Sequence, residues 1–252
     1  MESKQIILIG GLSRSGSTMF DLMLGNDPNG FSCGEVYAWF RKRKPHHHFI
    51  DCPCGQDPCP KWDIISKYKE ENFHRKTLRN LSLDFIIDSS KNAPWLRSIN
   101  QYYKDNNDFQ VVNFLIYKQP MNIWHSFWKR HNSIDRFLQS WINYHQWIFS
   151  LNFNNFYTIS YESLIENPSE SLKTICETID IPYFEGKERF WEGEHHHLFG
   201  SLGTRNQLKS KNPTLYKIEY QENFEIEKWK KIILNDAVAR RVFRKLEEKK
   251  LV

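Results

Sequence analysis

The 252-residue chain contains no apolar run approaching the roughly 18 residues that a membrane span requires. Its first apolar stretch, Ile6 to Ile9, stops at Gly10-Gly11 and is too short for the core of a signal peptide. Both absences lead to the expectation of a cytoplasmic protein with no membrane partner. Charge of either sign is also scarce in excess: 35 Lys and Arg stand against 30 Asp and Glu, a net +5. That balance suits an anionic ligand, but it is too small and too dispersed for a nucleic-acid partner. Cysteines number only five, and an odd count with three of them crowded into residues 52–59 argues against a disulfide scaffold in a reducing compartment. There is no internal repeat, low-complexity tract or long linker, so repeat, fibrous and disordered classes are excluded.

What the chain does carry is strand–helix alternation. Four short apolar runs read as strands buried on both faces: residues 5–9, 84–88, 110–117 and 156–160. Helical spacing follows in residues 17–25, 92–105 and 120–149, the last as one long helix with Trp124, Phe127, Trp128, Phe137, Leu138 and Trp141 along a stripe. Asn167-Pro168 starts another helix, with Asn at the cap and Pro at the first position. Such alternation predicts βαβ units: α/β, a single P-loop-like domain with a central parallel β-sheet flanked by helices. Residues 26–80 read as an insertion over the sheet, residues 185–222 as a long loop, and a terminal helix follows from Glu225.

The first strand runs into Gly11-Leu-Ser-Arg14-Ser15-Gly16-Ser17-Thr18. A glycine-containing loop between a strand and a helix is where backbone N–H groups and the helix dipole hold phosphate. The spacing is that of G-x-x-x-x-G-K-[ST], but Ser17 replaces the lysine that reaches the terminal phosphates of a nucleoside triphosphate. The cation sits at Arg14, inside the loop. The loop is therefore built for an anion, with its charge placed differently from that of an ATPase.

Taken with later segments, this loop resembles the 5′-phosphosulfate loop of sulfotransferases that use 3′-phosphoadenosine 5′-phosphosulfate (PAPS), particularly bacterial members and the tyrosylprotein and carbohydrate enzymes. Asp88-Ser-Ser-Lys91 is similar to their segment after the second strand, which implies a catalytic Lys91. Tyr117-Lys118-Gln119-Pro120 through Ser126 resembles their 3′-phosphate motif, with Lys118-Gln119 where Arg-Asp is usual; lysine keeps the charge and loses the bidentate fork. Tyr161-Glu162-Ser-Leu-Ile-Glu-Asn-Pro168 resembles their tyrosine–glutamate segment, and residues 197–205 a C-terminal loop ending in a basic residue, Arg205. The resemblance covers nearly the whole chain, residues 1–252, and places the 26–80 insertion over the acceptor.

The resemblance implies transfer of a sulfuryl group from PAPS to a hydroxyl acceptor, leaving adenosine 3′,5′-bisphosphate. Arg14, Ser15, Gly16, Ser17, Thr18, Lys118, Ser126 and Arg205 would hold the donor, and Glu35, Arg14 and Lys91 would do the chemistry, with Glu35 as general base and His125 as its rival. The acceptor is a hydroxyl-bearing small molecule, carbohydrate or peptide; neither it nor the oligomeric state is legible. Two other readings compete: a P-loop kinase for a small molecule, and a non-catalytic nucleotide-binding protein. For Cys52, Cys54 and Cys59 three fates stay open. They are free thiols, a disulfide, or a zinc site completed by Cys33 or by His46, His47 or His48. Free thiols come first, and no metal is assigned. The second histidine triplet, residues 195–197, is expected at the mouth of the acceptor site.

Overall fold

In the computed structural model, which describes residues 3–41, 51–130, 133–210 and 218–252, the strands and helices alternate as the sequence pattern requires. Strand β1 (Lys4–Gly10) leads through the glycine loop into α1 (Ser17–Leu24), and β2 (Gly30–Gly34) follows. Helices α2 (Pro60–Ile65) and α3 (Phe73–Asn80) precede β3 (Phe85–Asp88), α4 (Ala93–Tyr103) and β4 (Phe109–Tyr117). Then come α5 (Pro120–Trp128), α6 (Ile134–Ser150) and β5 (Phe156–Ser160). The chain ends with α7 (Tyr161–Glu166), α8 (Pro168–Ile179), α9 (Leu202–Ser210), α10 (Ile226–Asn235) and α11 (Ala237–Glu248). Among the described residues, no helix is long and apolar enough to cross a membrane.

The sheet is parallel throughout, in the order β2-β3-β1-β4-β5. Its central strands are buried on both faces, and the alternation of side chains sorts them into two cores. Ile6 and Leu8 of β1 point with Leu115 and Tyr117 of β4 into one core, roofed by α4, α6 and α11. Ile7 and Ile9 point with Phe114 and Ile116 into the other, against α1 and α8. Each fully buried aliphatic side chain contributes about 1.5–3 kcal/mol, so a one-residue register slip would exchange two filled cores at once.

Four expectations are corrected. Residues 185–222, read as a long loop, contain the helix α9 (Leu202–Ser210). The sheet has a fifth strand, β2, inside the segment read as an insertion over it. Gly30-Phe-Ser-Cys-Gly34 has one large apolar residue between glycines and no β-branched residue, pairs with one other strand only, and shifts register between Ser32 and Gly34. It carries no strand pattern because close neighbours leave room only for glycine at its ends: a Cβ on Gly30 would lie 2.3 Å from the Phe85 ring. The single helix over residues 120–149 is two helices, α5 and α6, whose common aromatic stripe packs into one core. The terminal helix is likewise a pair, α10 and α11, broken at Asp236, whose side chain caps α11 by accepting the Ala239 N–H at 2.8 Å. At the α8 start, Pro168 takes the first position as expected, but the Asn167 side chain makes no capping hydrogen bond.

Candidate active site

Parallel strands deliver their carboxyl ends to one edge of the sheet, where open α/β folds bind ligands. Here that edge receives Arg14 and Ser17 after β1, Glu35 after β2, Lys91 after β3, Lys118 after β4, and Tyr161 with Glu162 after β5.

The glycine loop turns by two left-handed residues, Arg14 at φ 76° and Gly16 at φ 98°. Gly16 is required on a second count, because a Cβ there would lie 2.3 Å from the Tyr161 ring. Left-handed and right-handed residues in succession turn backbone N–H groups into a concave nest that suits an anion. Ser15 is fully buried and its hydroxyl has no partner, whereas buried hydroxyls are ordinarily satisfied. The Thr18 hydroxyl is committed to structure: it accepts the Ser201 N–H at 3.0 Å and seats the C-terminal loop on the glycine loop.

The loop after β3 is held by a buried carboxylate. Asp88 accepts the Trp95 indole N–H at 2.7 Å and the Ser90 N–H at 3.0 Å, and lies 3.0 Å from His74 Nε2. This lock holds Lys91 at φ 60°, a left-handed conformation that costs a non-glycine residue about 1–3 kcal/mol. The Tyr144 hydroxyl adds a second lock, accepting the Gly11 N–H at 2.7 Å and donating to the Lys91 carbonyl at 2.9 Å. One phenol therefore ties the phosphate-type loop to the lysine loop. The Lys91 ammonium reaches Glu35 Oε1 as an ion pair and lies 3.3 Å from Ser17 Oγ. Both side chains are only about one-fifth exposed, at 17% and 19%, so the pair is screened from bulk water yet reachable.

Glu35 is placed by its own backbone, whose N–H donates to the Leu198 carbonyl at 3.2 Å. Leu198 bridges Gly34 so closely that a Cβ on Gly34 would lie 1.9 Å from that carbonyl oxygen, and Gly34 takes φ 72°.

At the far side, Lys118 stands 3.7 Å above the Tyr161 ring. Burial, reinforced by Arg14 and opposed by Glu162, brings its pKa down to about 8. Arg14 is itself lowered by burial and by Arg130. Three cations thus converge with Glu162 as the nearby countercharge, and Glu162 is occupied in accepting the Gln119 N–H at 3.1 Å and the Asn122 amide at 2.6 Å.

Not every predicted residue joins this group. Ser126 sits in the last turn of α5, its hydroxyl 3.5 Å from the Asn122 carbonyl one turn back. Arg205, in α9, donates to the Asp51 carbonyl at 2.6 Å, while its Nε is buried without a partner. His125 is buried among Trp128, Tyr220 and Phe224, and its Nε2 accepts the Gln221 N–H at 3.2 Å. Burial lowers its pKa, so it is packed rather than poised. The 195–197 triplet does not line a mouth. All three histidines are buried: His195 Nε2 lies 2.6 Å from the Phe190 carbonyl, His197 Nδ1 lies 2.7 Å from Ser32 Oγ and 3.3 Å from Asp21 Oδ2, and His196 faces the cysteines. All five cysteines are free; Cys33 is buried, with its thiol donating to the Ile87 carbonyl. His46, His47 and His48 lie outside the described residues.

Sequence reasoning missed Tyr144, Asp88 and Arg130. Tyr144 falls in the apolar stripe of α6, and nothing in that stripe marks its hydroxyl. Asp88 was visible as a strand-end carboxylate, but its partners, His74 and Trp95, come from helices on either side of β3.

No family model matches the chain, and no curated protein sequence matches it. Solved structures do. The sulfotransferase domain from the curacin biosynthetic pathway superposes with a TM-score of 0.63 over 98% of both chains at 16% identity. The sulfotransferase domain from the Synechococcus PCC 7002 olefin synthase gives 0.58 over 98% of this chain and 95% of that one, also at 16% identity. The protein therefore has the fold of these domains.

Proposed function

We propose that the protein is a sulfotransferase that moves a sulfuryl group from PAPS to a hydroxyl. The observation that carries this reading is the meeting of Lys91, Glu35 and Ser17 beside the glycine loop: an ammonium and a carboxylate paired at the start of α1. The donor class suits the other residues present. The left-handed loop and the unpartnered Ser15 hydroxyl match a 5′ anion, and the crowded cations Arg14, Lys118 and Arg130 match further negative charge. The fold shared with sulfotransferase domains agrees.

In this mechanism Glu35 takes the proton of the acceptor hydroxyl as that oxygen bonds to sulfur. The bond from sulfur to the bridging oxygen breaks, and the leaving phosphate carries away the electron pair. Lys91 neutralises the developing charge. As charge moves to the leaving oxygen, Lys91 shifts from the carboxylate toward it, while the carboxylate holds the acceptor's proton. Arg14 and the loop amides serve the 5′ end, Lys118 the 3′ end, and the acceptor approaches from the side of β2. The test is incubation with labelled PAPS and a panel of sugars, phenols, lipids and tyrosine peptides. In parallel, adenosine 3′,5′-bisphosphate at 100 times its Kd should stabilise the fold by about 2.7 kcal/mol. Equal stabilisation by ATP would overturn the reading in favour of a kinase.

A further inference from the structure

Cys52, Cys54, Cys59 and His196 bring one ligand atom each to within 4.8 Å of one another. We propose that these four residues bind a structural zinc ion, which clamps the segment after β2 onto the segment that supports Glu35. The inference stands whether or not the sulfuryl-transfer reading holds.

The donor chemistry is that of a closed tetrahedral site, three thiolates and one imidazole. In such a site, bond lengths near 2.0–2.3 Å put N and S ligands about 3.5 Å apart. His196 Nδ1 lies 3.3 Å from Cys59 Sγ and 3.5 Å from Cys52 Sγ. Cys54 and Cys59 have C-x4-C spacing, within the range of structural zinc sites. Gly55, at φ 75° and with its N–H donating to the Cys52 carbonyl, turns the chain back between them. The imidazole is oriented as a ligand's should be: its other nitrogen lies 3.2 Å from Glu194 Oε1. Its ring stacks on Phe31 with centroids 6.0 Å apart, and the Trp62 indole N–H holds the His196 carbonyl at 2.6 Å. Cys59 already receives the Trp62 N–H at 3.5 Å, an arrangement that suits a thiolate. The proposal departs from the expectation that assigned no metal, and it names His196 as the fourth ligand in place of Cys33 or of His46, His47 or His48.

The two halves of the cluster are 137–144 residues apart in the chain, so a shared ion closes a very long loop. Its position explains why such a clamp is useful. Two residues beyond His196, the Leu198 carbonyl receives the Glu35 N–H, and one residue before Cys52, the Asp51 carbonyl receives Arg205.

The test uses the full chain, untagged and purified under reducing conditions. Elemental analysis should find one zinc per chain. Cys54→Ser, which removes a half-exposed thiol and no hydrogen bond described above, should lose it, while Cys176→Ala should keep it. Cobalt(II) exchanged into the native protein should give the visible bands of a tetrahedral thiolate site, and chelation should lower the Tm and open three thiols to alkylation. Substoichiometric metal in the native chain overturns the proposal. So does zinc that survives Cys54→Ser, which would assign the ion to another histidine cluster, or a disulfide among these cysteines by mass spectrometry.

Discussion

Two lysines leave the same edge of the sheet, Lys91 after β3 and Lys118 after β4, and their surroundings are opposite. Lys91 has a carboxylate partner, and its backbone is fixed by Tyr144 and by the loop that Asp88 locks. Lys118 lies on an aromatic face among cations, and burial brings its pKa to about 8. A balanced, rigid charge is suited to a step in which charge moves. An unbalanced one, held at a cost, is suited to an anion that arrives already charged. The difference separates the residues expected to set rate from those expected to set affinity.

The sharpest way to break that separation is Glu35→Gln. It keeps the shape and removes the proton acceptor, so turnover should fall roughly a hundredfold or more while donor affinity barely moves. Steady-state kinetics beside direct binding of adenosine 3′,5′-bisphosphate measures both. A variant that loses affinity instead of rate would move Glu35 to the donor side. Lys118→Ala should do the reverse: about tenfold or more in donor Kd, the value of a charge-assisted hydrogen bond, with turnover at saturation close to normal.

How much of this was legible divides along the same line. The loop around Arg14 and Gly16 declared itself by glycine and hydroxyl spacing next to a strand, because a phosphate-type nest is made by consecutive residues. Four of the five strands were visible since burial on both faces demands continuous apolar runs. β2 was not, because the close approach of Phe85 and Leu198 restricts its ends to glycine, and Gly-Phe-Ser-Cys-Gly holds no apolar run. Tyr144, the Leu198 carbonyl and His196 act across long stretches of chain, and no local pattern announces a contact of that kind. Glu35 and Lys91 were named through resemblance; their ion pair belongs to three-dimensional placement alone.

Titration sharpens the comparison at smaller scale. The Lys118 pKa of about 8 lies below its ordinary 10.5, so between those values the unfolded chain binds more protons and folding stability rises with pH. Donor binding runs the other way. A bound anion favours the charged ammonium, so binding takes up a proton above pH 8 and affinity should fall by up to about tenfold per pH unit there. Lys118→Arg should flatten this profile while wild-type protein shows it. A flat wild-type profile would mean that Lys118 does not face the donor.

Tyr144→Phe tests the rigid half without touching a charged group. Losing the hydroxyl leaves the Gly11 N–H and the Lys91 carbonyl without this partner, at a cost of about 1–3 kcal/mol in stability. Turnover should fall by about tenfold, as for a small misplacement of a reacting group, with donor Kd nearly unchanged. Retained turnover in a destabilised variant would show that the phenol braces the fold and not the lysine.

The smallest expected effect on catalysis comes from His125, the one imidazole that competes with Glu35 for the role of base. Its Nε2 is taken by the Gln221 N–H, and three aromatic rings surround it. Burial lowers its pKa, with a small addition from Lys129, so the ring is neutral at pH 7 and its one acceptor nitrogen is already occupied. A base must lie within reach of the proton it removes, and this geometry points the ring at the segment before α10 instead of at the Lys91–Glu35 pair. His125→Ala should therefore lower the Tm through lost packing, by about 1–3 kcal/mol of stability, and leave turnover near wild type at a temperature where the variant is folded. The decisive comparison is kinetic, with Glu35→Gln assayed alongside. A dead His125→Ala enzyme beside a normal Glu35→Gln enzyme would transfer the base to His125 and require the 221–224 segment to open when the acceptor binds.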